Sequence, residues 1–248
     1  MNNVIWDDLG FFVKSLKGLP ASESLMLSEK SYCVSTRTES ENWVYCPEGI
    51  SSVESVREAV RFFREREEVF MWPVYSVGRE VLGDAGLIYA GDLTAMMFEP
   101  ESVRREGRST ELMFERVRED NAGEWAMTAW RGFGGSEEDM PESYGRFVSA
   151  LSEAKERVGL YLAKCGGESV GVFSVTNEAE MMGVYYFAVV PEFRRRGIAG
   201  AMMDEICGLS GGKRIVLQST PMGKKFYVNY GFRELFKIPV YSTERDIF

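Results

Sequence analysis

The sequence predicts a mixed α/β fold of the α+β type, a mostly antiparallel central sheet flanked by helices, and three observations carry that reading. Three β-rich segments, VGLYLAKC, ESVGVFSVT and EMMGVYYFAVV, follow one another between residues 158 and 190 with only the turn signals GGE and NEAE between them, which is the pattern of an antiparallel meander. Helical and strand patterns then alternate to the C-terminus. The first half repeats the same order of elements in degenerate form.

Taken in order, TELMFERVRE reads as a strand running into polar residues. DNAGEWAMTAW and MPESYGRFVSALSEAKER read as two helices joined by the glycine-rich turn RGFGGSEED. After the meander, a helix runs from Arg196 to Leu209 and stops at SGG. KRIVLQS is a short buried strand, MGKKFYVNY a helix and GFRELFKIPVYS the last strand. In the first half, WVYCPEGISSVESVREAVRFF places an aromatic strand, a Pro-Glu pair and a helix in the order of YFAVVPEFRRRGIAGAMMDEI, so Pro47 matches Pro191. Further on, Gly86-Leu87 matches Gly231-Phe232, and Leu82 stands where the second copy has Tyr227. The first copy has fewer residues before its Pro-Glu pair and lacks opening elements of the second. The expected domains are a degenerate copy at 1–105 and a complete one at 106–248, joined near the segment from Glu99 to Thr110.

Composition narrows the function. With 248 residues, 45% of them hydrophobic, the chain can bury two moderate cores. It contains no histidine, which removes the commonest metal ligand and every Ser-His or Cys-His pair. Cys33, Cys46, Cys165 and Cys207 are widely spaced, as free thiols rather than a disulfide framework or zinc site, so no metal is expected. A net charge of −9 speaks against nucleic acid as partner. The absence of a long apolar run and the acidic start MNNVIWDDLGFFV point to a cytoplasmic protein with no membrane partner.

The chemistry concentrates in YYFAVVPEFRRRGIAGAMMDEI, from Tyr185 to Ile206. A β-branched and aromatic strand meets Pro191, then three arginines, then small residues opening a helix. A helix N-terminus presents unsatisfied N–H groups and partial positive charge. Gly197 and Ala199 leave that backbone bare, and Arg194, Arg195 and Arg196 add charge beside it. This combination suits a pyrophosphate.

In these residues the sequence resembles the GNAT acetyltransferase superfamily. The hallmark Arg/Gln-x-x-Gly-x-Gly/Ala is met by Arg194, Gly197 and Ala199, and the later Phe/Leu-Tyr-x-x-x-Gly-Phe signature by FYVNYGF, 226–232. The resemblance implies a GNAT fold in the C-terminal half and a partial GNAT-like repeat in the N-terminal half. It implies acetyl-CoA as acyl donor, held by backbone groups of Phe187, Ala188 and Val189 and, at its pyrophosphate, by Arg194, Arg195, Arg196, Gly197, Ile198, Ala199 and Gly200. Thr220 stands where the family often has a cofactor-contacting asparagine. By the same resemblance the N–H of Val189 meets the thioester oxygen, and Tyr227 gives a proton to the departing thiolate. The strand glutamate that some family members carry is Gly183 here, while Glu178 and Glu180 lie near the strand's start. The expected reaction is direct acetyl transfer to a primary amine of a small molecule or protein. The alternative is a non-catalytic CoA-binding sensor or regulatory module. A homodimer is compatible with either.

Overall fold

The computed structural model describes residues 2–39, 41–49, 52–74, 79–100 and 112–245. The elements run α1 (Asn2–Lys17), β1 (Glu23–Met26), β2 (Tyr32–Ser35), β3 (Asn42–Tyr45), α2 (Val53–Arg64), β4 (Phe70–Pro73), α3 (Arg79–Asp84) and β5 (Ile88–Phe98). There follow β6 (Leu112–Arg116), α4 (Ala122–Gly132), α5 (Glu142–Glu153), β7 (Val158–Cys165), β8 (Glu168–Thr176), β9 (Met181–Val189), α6 (Ile198–Ser210), β10 (Arg214–Ser219), α7 (Pro221–Tyr230) and β11 (Arg233–Ser242). Every second-half element read from the sequence is present, with α6 starting two residues later than expected.

Two compact units emerge, and they interleave in sequence. One takes Met1–Met96, Gln218–Asn229 and Glu234–Phe248; the other takes Met97–Leu217 and Tyr230–Arg233. The expected boundary at 105/106 lies outside the described residues.

In the first unit the strand order is β1-β2-β3-β4-β11-β5. The meander β1-β2-β3 is antiparallel, and β3 then pairs parallel with β4, a geometry that requires a crossover, supplied by α2. Helix α1 buries Ile5, Leu9, Phe12 and Leu16, a spacing of four, three and four that puts all of them on one helical face. Ser52 caps α2 by accepting from the Ser55 N–H, and Val56, Ala59, Val60 and Phe63 fill the core beneath it.

In the second unit the order is β10-β9-β8-β7-β6. The antiparallel meander β7-β8-β9 leads through α6 to β10, which pairs parallel with β9. The two copies therefore share their connectivity. The shorter start of the first is accounted for by α1 alone standing where the second has β6, α4 and α5. Gly86 and Gly231, matched in sequence, both adopt positive φ, 85° and 117°, as residues ending a short helix do. Among the described residues no helix is long and apolar enough to cross a membrane.

Candidate functional site

The site is built around the end of β9. Its ladder with β10 has three registered pairs, from Arg214↔Met181 to Val216↔Gly183. Beyond Gly183 no registered pair joins the two strands, so the remaining edge of β9 is left to other partners. At the position where some family members carry a glutamate, Gly183 donates its N–H to Thr176 Oγ1 at 2.9 Å. On the other edge, β8 pairs Val172 with Ala188 and Ser174 with Tyr185, so Tyr186 and Phe187 together oppose Phe173. This is a β-bulge, and Tyr186 sits in it at φ 50°, held by ring contacts to Trp125 and Phe147.

Past the bulge the alternation can be read from one bond. The Val190 N–H donates to Val170 O at 3.0 Å. In an antiparallel ladder the neighbouring residue faces the other way, so Val189 turns both its N–H and its C=O to the edge away from β8. Its C=O is found there, accepting from Arg194 Nε at 3.0 Å.

Pro191–Phe193 then forms a single 3-10 turn. Arg195 and Gly197 both take left-handed backbone, at φ 63° and 82°, and Arg196 between them does not; such alternation gathers N–H groups into anion-binding concavities. Gly197 is the N-cap of α6. No side chain caps the helix and no acid stands in its first turn. Ile198 is buried and anchors the turn, while Ala199 and Gly200 are only partly covered. A Cβ on Gly197 would meet nothing within 4 Å, so the space before the helix is open. Arg196 lies over the Phe193 ring, 5.0 Å from its centroid. The matching helix of the first copy differs on each point: α2 is capped by Ser52 and carries Glu54 in its first turn, both of which serve the N–H groups that an external anion would need.

Of the residues expected at the site, Phe187, Ala188, Val189 and the stretch 194–200 come together in this one unit. Thr220 and Tyr227 belong to the other. The Thr220 hydroxyl accepts from the Gly223 N–H at 3.4 Å, which makes it a cap for α7. Tyr227 is 8% exposed, and burial raises its pKa above the ordinary tyrosine value. Its ring lies so near Gly223 that a Cβ there would stand 3.2 Å from Cε2. Trp125 is fully buried and donates to Tyr161 O at 3.1 Å, a core role. Sequence reasoning had no means of finding the contribution of Gly132 at the end of α4. A Cβ there would come within 2.8 Å of the Ala188 Cβ, so the absence of a side chain lets α4 approach β9 beside Val189.

Residues 156–234 match the family model of the acetyltransferase (GNAT) domain. No curated protein matches the sequence. Among solved structures, the chain is similar to a GCN5-related N-acetyltransferase from Kribbella flavida, with 12% identity and a TM-score of 0.63 over 96% of this chain and 95% of that one. It is similar also to a tandem GNAT protein from the clavulanic acid biosynthesis pathway, with 12% identity and a TM-score of 0.61 over 94% and 86%. A GNAT-family protein from Novosphingobium aromaticivorans gives 13%, 0.58, 96% and 95%. These likenesses are of fold, and they take in both copies.

Proposed function

We propose, on the premise that residues 156–234 form a GNAT acetyltransferase domain, that the chain is an acetyl-CoA-dependent N-acetyltransferase acting on a primary amine of a small molecule or protein. The observation that carries the reading is the uncapped, acid-free N-terminus of α6, preceded by two left-handed residues and flanked by arginines, at the end of a strand that registers with β10 only as far as Gly183.

Acetyl-CoA supplies the activated acyl group as its thioester. The chain's part is to hold and polarise it. The backbone N–H groups opening α6, with Arg195 and Arg196, suit the diphosphate. The edge of Phe187, Ala188 and Val189 suits the pantetheine, and the outward N–H of Val189 is the donor for the thioester oxygen. Tyr227 is assigned the proton for the leaving thiolate from the sequence signature. Its buried, raised pKa supports a phenol that still carries its proton at neutral pH. Thr220 is kept as a contact of the cofactor, secondary to its capping of α7. Among the described residues the first copy of these elements, its α2 capped by Ser52 and carrying Glu54 in the first turn, shows no comparable anion site, and it is assigned a structural part.

Calorimetric titration of acetyl-CoA followed by a screen of amines for CoA release tests this. Micromolar binding and release above the hydrolysis background with some amine is the expected result. Tight binding with no release from a broad amine panel would favour a CoA-binding sensor, and no binding at all would remove both readings.

A further inference from the structure

We infer that Arg194 is a positioning residue, which fixes the Val189 edge of β9 against the end of α4 rather than gripping the diphosphate. The inference rests on the acetyltransferase reading above. Arg194 is the first residue of the arginine triplet, and charge alone would make it a phosphate ligand like its neighbours. Its guanidinium is instead committed to two backbone carbonyls. Nε donates to Val189 O at 3.0 Å, and Nη2 donates to Gly132 O at 2.8 Å. Nε and Nη2 form one of the edges along which a guanidinium takes an anion in bidentate fashion, so that edge is already used.

The need for such a partner is visible in the accounting of helix α4. The last four carbonyls of a helix lack an intrahelical donor. Three of these are met by the following loop: Ala129 O by the Phe133 N–H at 2.9 Å, Trp130 O by the Gly135 N–H at 2.9 Å, and Arg131 O by the Gly134 N–H at 3.0 Å. Gly132 O is met by Arg194. A cation at that end also suits the negative pole of the helix. The close approach of Gly132 to Ala188 brings the two carbonyls within reach of one guanidinium. Arg194 thus ties the end of β9, five residues before it, to the end of α4, 62 residues before it. One of them carries the N–H proposed to face the thioester oxygen, and the other opens the loop between α4 and α5. The ion pair of Arg131 with Glu192, at 3.6 Å, runs between the same two segments, and its exposed setting makes it a weak second tether. Lysine cannot replace the arginine, because one ammonium lacks the planar fork that reaches both oxygens.

The test compares the full-length wild type with Arg194→Gln and with the double variant Arg195→Gln/Arg196→Gln. Acetyl-CoA affinity, kcat and KM with the best amine of the screen, and hydrogen exchange of the amides at 133–135 and 189–190 are measured. For Arg194→Gln the expected result is an acetyl-CoA affinity within about 2-fold of wild type. It should also show kcat lower by roughly 10–100-fold at unchanged KM for acetyl-CoA, the scale of a misplaced catalytic group, and faster exchange at both segments. The double variant should instead lose affinity by about 10-fold or more, as removal of phosphate-binding charge does. Loss of affinity in Arg194→Gln equal to that of the double variant would overturn the inference, and so would unchanged kcat and exchange. Wild type that fails to bind acetyl-CoA would defeat the functional reading alone, since exchange at the two segments still decides whether the clamp exists. Should Arg194→Gln fail to fold, Arg194→Lys keeps the charge without the fork and gives the same readouts.

Discussion

Tyr241 of β11 stands opposite Trp72 of β4, and Val240 opposite Pro73, in an antiparallel ladder. By sequence β11 ends the second copy, yet it completes the sheet of the first unit. Proline offers no N–H to a ladder, and the Val74 N–H next to it donates to Pro239 O at 2.8 Å, so the pairing continues past both prolines. Trp72 is buried as a consequence.

A chain ending at Arg233 should therefore lose the first unit. Ile238, Val240 and Tyr241 are buried, and at about 1.5–3 kcal/mol for each such side chain their removal costs about as much as a typical domain's whole stability, roughly 5–15 kcal/mol. The milder Ile238→Ala should cost about 2–5 kcal/mol, read from denaturant unfolding. A truncated chain with a wild-type melting profile would show that β11 is dispensable.

Gly197 separates the demands of backbone and ligand. Alanine there meets open space, so its cost is only the left-handed backbone, about 1–2 kcal/mol. In Gly197→Glu the new carboxylate complements the helix pole, which should keep the destabilisation small. The same charge opposes an incoming diphosphate, and acetyl-CoA affinity should fall on the order of 100-fold. Calorimetry and a thermal melt on both variants check this. Equal binding by wild type and Gly197→Glu would move the anion site elsewhere.

Much of this was legible before the structure because it is local. The meander, the bounds of α6 to within two residues and the matched glycines Gly86 and Gly231 all depend on patterns a few residues long. The elements not read were α1 and the four-residue strands β1 and β2. The strands are too short for alternation to register. The apolar spacing of α1 is present, but the first half is legible through its echo of the second, and α1 takes the place of β6, α4 and α5 without resembling them. The site was legible as a motif and not as a geometry. The left-handed tyrosine at the bulge lies inside an unbroken β-rich run, where a turn signal would call for glycine. Arg194 looks like Arg195 and Arg196 until Gly132, distant in sequence, is placed beside it.

Glu68 gives a pH test of the first unit. It is 8% exposed, accepts from Ser35 Oγ at 2.7 Å, and its Oε2 is buried without a partner. Burial raises its pKa, opposed by the Ser35 hydrogen bond and the charges of Arg37 and Arg66. A carboxyl raised in the folded state binds protons there that the unfolded chain has released, so it subtracts from stability as pH rises through the ordinary value of 4.5. Glu68→Gln, which cannot ionise, should melt higher than wild type at neutral pH, and the difference should close as pH falls below that value. A difference independent of pH would mean that the carboxyl carries no charge cost.

Tyr227 is the sharpest test of chemistry as opposed to binding. If its phenol gives the proton, Tyr227→Phe should lower kcat by about 10²-fold or more while leaving acetyl-CoA affinity near wild type, since only one oxygen is lost from a buried side chain. The raised pKa adds a second expectation. A phenol that holds its proton above the ordinary value of 10 cannot be the group whose deprotonation ends activity on the basic side, so the rate should show no Tyr227-dependent fall through pH 9. Gly223→Ala serves as a positional control. Its Cβ would press on the Tyr227 ring and should reduce kcat in the wild-type background but have little further effect on Tyr227→Phe, because the two changes act on the same step. Full activity in Tyr227→Phe would leave the acid to water, and the family signature of the FYVNYGF segment to the packing of α7.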